Sequence, residues 1–143
     1  MKTFQIKNGD LVIGPGGYVA ISGPVKLRQD LAIAMLEPLG SDRFHPRWGS
    51  LLSQYIGTPL DQAAVFAVSA EVRRIVTNHM VRQDQQITRD RVEGKKSRLT
   101  ADEVVAKLVD LNTQTTLDRL FVRVAVLTLA GTTIMVRQTV EGF

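Results

Sequence analysis

The sequence predicts a mixed α/β fold of the α+β kind. A small mixed sheet ends in a C-terminal antiparallel hairpin, packs against two to three helices, and is preceded by an N-terminal β-hairpin. Three observations carry this. Asn8-Gly9 lies between two short apolar stretches, a strong hairpin signal because both central turn positions need positive φ. Two internal segments repeat apolar residues at helical spacing. The last part of the chain holds a near-continuous apolar run followed by strict alternation, the patterns of a central and an outer strand.

Taken in order, residues 1–24 form the hairpin arm. After Asn8-Gly9, the cluster Gly14-Pro15-Gly16-Gly17 marks a second turn before the short apolar "YVAIS"; a flexible arm fits the same composition. In "KLRQDLAIAMLE", Leu27, Leu31, Ala34 and Met35 make one helical stripe, and Pro38 with Gly40 ends it. "LLSQYI" continues as a short helical or extended piece. The clearest helix starts at Pro59, with Thr58 as N-cap and Asp61 near the positive end of the dipole. Its stripe is Val65, Val68, Val72, Ile75, Val76 and His79. Beyond Met80 the pattern is compatible both with continued helix and with an extended segment from Gln85. "LTADEVVAKLVDL" is expected as a third helix: Thr100 and Glu103 make a capping box, with Val104, Val105, Leu108 and Val109 inward. Residues 117–130 read as a strand buried on both sides after Arg123. Gly131 turns the chain, and Ile134, Val136, Gln138 and Val140 share one face of a half-exposed edge strand. No repeat at a solenoid period is present. The whole is read as a single domain, residues 1–143, with the arm at 1–24 and the core at 25–143.

Composition bounds the function. The chain has 143 residues, 44% apolar and 22% charged, enough for a real core without staples. The absence of cysteine excludes disulfides, zinc–thiolate sites and thiol nucleophiles. No signal-peptide h-region is visible at the N-terminus, and no apolar run approaches the roughly 18 residues of a membrane span. The net charge of +4 is concentrated in residues 71–98, where eight basic residues face four acidic ones. No aromatic residue interleaves them, so a solvated face or a contact to an acidic protein fits better than nucleic acid.

The eleven residues "GSDRFHPRWGS", 40–50, hold the densest mixed chemistry. His45 near Asp42 is the sole candidate for an oriented base, and no nucleophile elbow accompanies it. His79, on an apolar stripe, reads as a satisfied core or boundary imidazole. His45 and Asp42 give two metal ligands at most. "GPGG" lacks the lysine and hydroxyl of a phosphate loop. Glu37, at the end of an apolar helix, is the one carboxylate placed for acid catalysis in a cell-wall hydrolase, and a solvated helix-end glutamate fits it better. No catalytic constellation emerges.

The spacing of that stretch carries a resemblance. Gly40, Pro46, Trp48, Gly49 and Ser50, behind "KLRQDLA" and before a second helix, are similar to the loop of the baseplate wedge and tail-sheath initiator family of contractile phage tails. The similarity covers residues 27–80. Asp42 stands where the family has arginine, with Arg43 one position later. The family's Glu-Pro-Arg signature is replaced by "HMVRQDQQI", leaving Arg82 as its remnant. The resemblance implies a non-enzymatic structural protein without cofactor or metal, in several copies around the tail tube. It would bridge wedge proteins and the first ring of tail sheath protein, in a virion baseplate assembled in the host cytoplasm. It also implies sheath nucleation by strand sharing, for which the half-polar strand carrying Ile134, Val136, Gln138 and Val140 is the expected partner-binding element. Arg43, Arg47 and Arg82 are expected as further contacts. The alternatives are a lysozyme-like cell-wall hydrolase of the tail and a basic nucleic-acid-binding module.

Overall fold

The computed structural model describes residues 1–142. Its first part closes into a three-sided ring of two-residue antiparallel pairs. β1 (Thr3–Phe4) pairs with β6 (Ala20–Ile21), β2 (Ile6–Lys7) with β3 (Asp10–Leu11), and β4 (Ile13–Gly14) with β5 (Gly17–Tyr18). The Asn8-Gly9 turn has the required positive φ, 53° and 85°. At the centre, Gln5 N–H donates to the Val19 carbonyl (2.8 Å), Val12 N–H to Gln5 (2.9 Å), and Val19 N–H to Val12 (3.0 Å). These three residues are seven apart, as are Phe4, Leu11 and Tyr18, and Gly9, Gly16 and Gly23. The arm is therefore three copies of a seven-residue unit, each pairing with the next. Gln29 ties it to the helix that follows, accepting from Ile6 N–H and donating to the Phe4 carbonyl, both at 2.8 Å.

Helix α1 (Gly23–Leu36) buries Leu27, Leu31 and Met35 and stops before Pro38, whose ring disfavours helix in the residue before it. A 3-10 helix follows at Leu52–Tyr55. Helix α2 (Gln62–Val92) begins later than the sequence suggested. Asp61, not Thr58, is the N-cap, accepting from Ala64 N–H at 2.8 Å, while the Thr58 hydroxyl donates back to the Tyr55 carbonyl. Asp61 wins because its side chain reaches an orphan N–H of the first turn. The helix runs unbroken to Val92, so no extended segment begins at Gln85.

The C-terminal sheet has strands β7 (Val105–Thr115), β8 (Arg119–Thr128) and β9 (Thr133–Glu141), in the order β7-β8-β9 and antiparallel throughout. The expected third helix is thus corrected: residues 105–115 are a strand. Bulges between Val105 and Lys107 and between Leu108 and Asp110 each insert an extra residue. Val105, Leu108 and Leu111 consequently all sit opposite inward residues of β8 at a spacing of three, which imitates a helical stripe. The Thr100–Glu103 pair survives as a turn, with Glu103 N–H on the Thr100 carbonyl. Buried Glu103 also accepts Gly23 N–H (2.8 Å) and so ties this turn to the start of α1.

Leu120, Val122, Val124 and Val126 of β8 and Ile134, Val136 and Val140 of β9 meet Leu27, Leu31, Val68, Val72 and Val76 from the helices. Full burial of each such side chain stabilises the fold by about 2 kcal/mol. The both-sided burial predicted after Arg123 holds for Val124, Ala125, Val126 and Thr128; nearer its start β8 alternates, with Phe121 and Arg123 exposed.

The β8–β9 turn is closed by Gly131 (φ 84°), with Thr128 N–H on the Thr132 carbonyl; at the far end Gly142 N–H donates to Asp118. Because bonding direction alternates along a strand, even-numbered residues of β9 bond to β8. The odd ones point their main chain away from it. Glu141 fits, its carbonyl taking Gly57 N–H at 3.1 Å.

Candidate functional site

The 40–50 stretch forms a corner between α1 and the 3-10 helix. Two positive-φ glycines, Gly40 (80°) and Gly49 (90°), turn the chain back on itself. Ser50 N–H donates to the Glu37 carbonyl (2.7 Å), Leu39 N–H to Ser50 (3.0 Å) and Gly40 N–H to Trp48 (3.1 Å). This is a short parallel bridge between Pro38 and Ser50. The Ser50 side chain is buried and donates to the Met35 carbonyl.

Inside the corner, Asp42 accepts Phe44 N–H and meets His45 Nδ1, both at 2.8 Å. The His45 hydrogen bond, then that of Phe44 N–H, holds the Asp42 carboxyl below its ordinary range. His45 stacks on Trp48, with ring centroids 4.6 Å apart. Arg82 of α2 lies over the other part of this cluster, its guanidinium on the Trp48 ring. Burial pulls the Arg82 pKa down to about 10 even though Asp30, Asp42 and Glu37 oppose it. Arg74 donates to the Gly49 carbonyl at 2.9 Å and grips Glu71, which in turn accepts Leu51 N–H at 2.8 Å. That Arg74 bond is the main reason the Glu71 carboxyl is held low. Part of the basic charge of residues 71–98 therefore clamps the corner from inside.

Gly40, Trp48, Gly49 and Ser50 build the corner; Pro46 lies on its exposed rim, beside exposed Arg43 and Arg47. Arg82 is half-buried, with its guanidinium over the Trp48 ring. Ile134, Val136 and Val140 have their side chains in the core, at 1%, 2% and 3% exposure, and Gln138 is half-buried. What β9 offers a neighbour is therefore its edge and its odd-numbered residues.

His79 corrects an expectation. It is half-buried, and its Nε2, shut off from water, has no hydrogen-bond partner among the described residues. Burial, then the positive charges of Arg82 and Lys26, push its pKa down to about 4. The neutral imidazole is thus the favoured form at neutral pH, with its Nε2 left unpaired. Phe44 is 89% exposed, and the exposure of a loop aromatic has no local signature in the sequence.

Chemically, the Asp42–His45 pair has no hydroxyl to activate within the corner. Ser41 donates to Glu37 and Ser50 to Met35. No group of three or more ligand side chains able to hold a metal is found among the described residues. No helix there is long and apolar enough to cross a membrane.

No family model and no curated protein matches this sequence. Among solved structures, the fold is similar to a crystal structure from Geobacter sulfurreducens described as a putative tail lysozyme. The TM-score is 0.57 at 9% identity, over 82% of this chain and 89% of that one. At that identity the likeness is one of fold.

Proposed function

We propose that this chain is a structural assembly protein of a contractile phage tail. In this reading it sits at the baseplate, bridges wedge proteins and the first sheath ring, and is a virion component. The observation that carries it is the shared fold with the protein described as a putative tail lysozyme, over most of both chains. The Gly40–Pro46–Trp48–Gly49–Ser50 corner, with its resemblance to tail-sheath initiators, supports the finer assignment.

Strand sharing has a physical counterpart in β9. Its odd-numbered residues Thr133, Met135, Arg137 and Thr139 direct main-chain groups to an open edge, where they find no partner among the described residues. Such an edge accepts a foreign strand through main-chain hydrogen bonds. Deleting the strand would not test this, because it removes Ile134, Val136 and Val140 from the core. Proline at Thr139 removes an outward N–H and spares the β8 ladder. Thr139→Pro is expected to keep the native circular dichroism and lose co-assembly with the sheath subunit. Unchanged sheath assembly by the folded variant refutes strand sharing. The hydrolase alternative predicts muramidase activity in the wild type that disappears in Glu37→Gln; that result would replace the structural reading.

A further inference from the structure

The outer face of the sheet, opposite the helices, is a separate surface. Arg123 of β8 and Arg137 of β9 stand directly opposite each other on it, both exposed. Since the even-numbered pairs of this hairpin are the hydrogen-bonded ones, Arg123 and Arg137 form a non-hydrogen-bonded pair, the closer of the two geometries for side chains. Like charges so placed destabilise a sheet. The pair is not neutralised: neither arginine makes an ion pair among the described residues, and Arg119, further along, is the one that approaches Glu141, at 3.9 Å. Arg137 contacts the Met135 sulfur at 3.9 Å. The neighbouring rows of the same face carry Phe121 (40% exposed) between Gln114 and Thr139 and, on the other side, buried Ala125 between Asp110 and Met135 (37%).

We infer that this face docks an acidic segment of a partner protein, with its carboxylates received between Arg123 and Arg137 and its apolar residues on Phe121 and Met135. Two adjacent guanidiniums present parallel forks of donors suited to carboxylates. Arginine, phenylalanine and methionine are residues enriched in interface cores. A nucleic acid is less well matched, because phosphate recognition follows a stripe of cations, whereas here Asp110, opposite Ala125, and Glu141, opposite Arg119, interrupt it. The inference stands apart from the edge of β9 and does not depend on a role in a tail.

The test is a heteronuclear NMR titration of the whole chain with two capped synthetic peptides, one alternating glutamate with valine, the other lysine with valine. The glutamate peptide is expected to shift amides 121–125 and 135–137. The double variant Arg123→Glu, Arg137→Glu is expected to bind it at least tenfold more weakly and to take up the lysine peptide instead. Arg137→Glu alone, which turns repulsion into a cross-strand ion pair, is expected to raise Tm by about 2 °C. Several results overturn the inference. They are equal binding of both peptides, which would reflect edge pairing; shifts centred on residues 89–98; no shift at millimolar peptide; tighter binding of a single-stranded oligonucleotide than of the glutamate peptide at physiological salt; or a lowered Tm for Arg137→Glu.

Discussion

Replacing Gly49 by alanine places a methyl carbon 2.5 Å from the Glu37 carbonyl oxygen, 2.6 Å from that of Pro38 and 2.7 Å from the Pro38 carbonyl carbon. All three are backbone atoms, so no side chain can swing aside. The residue also holds φ at 90°, where a non-glycine residue costs about 1–3 kcal/mol. Relief requires the two strands of the corner to separate. That breaks Ser50 N–H to Glu37 and Leu39 N–H to Ser50, each contributing about 1 kcal/mol. The combined loss is about 3–5 kcal/mol, a large part of the roughly 5–15 kcal/mol that holds a domain together. Gly57 is the internal control: its φ is 75°, but a Cβ there meets no atom within 4 Å. Gly57→Ala should therefore cost the backbone term alone, about 1–2 kcal/mol. Urea unfolding followed by far-UV circular dichroism measures both. A Gly49→Ala midpoint equal to that of Gly57→Ala, or within about 1 kcal/mol of wild type, refutes the close-approach argument.

Two further outcomes follow from the packing. His79 has a folded pKa of about 4 against 6.5 for the free side chain, so the unfolded chain binds its proton first as pH falls. Its contribution is neutral above pH 6.5 and destabilising increasingly down to about 4, approaching about 3 kcal/mol. His79→Leu should remove that part of the acid sensitivity in urea midpoints taken from pH 7.5 to 4; an identical pH profile would contradict it. In β7, Leu108 packs on the core while Val109 is 51% exposed. Leu108→Ala should cost about 2 kcal/mol and Val109→Ser less than about 0.5 kcal/mol, whereas a helical stripe over this segment would make both costly; equal losses in thermal melts would restore the helix.

How far the fold was legible depended on whether the signal was local. The Asn8-Gly9 turn was readable because a two-residue turn with φ values of 53° and 85° admits few sequences. The alternation of β9 was readable because one face is buried and the other wet. Residues 105–111 were misread because bulges change a spacing of two into three, and nothing local distinguishes that from a helix turn. The triangular arm was missed for a different reason. Its seven-residue units are too short to be stable alone, and their likeness appears once the hydrogen bonds joining residues 5, 12 and 19 close the ring.

The corner between α1 and the 3-10 helix divides the same way. The sequence alone determined that the first helix ends at Pro38 and Gly40 and that Gly40, Pro46 and Gly49 punctuate residues 40–50 as a connecting loop. Tertiary structure decided what the charges around it do. Arg74 and Arg82 count as surface basicity in one dimension; in three they lie against Gly49 and Trp48, because a 31-residue helix carries them back past loop residues that stand 25 and 34 positions earlier in the chain. The same distinction governs Arg123 and Arg137. They are fourteen residues apart along the chain, and only the hairpin register makes them neighbours, where their like charges meet at the close cross-strand spacing.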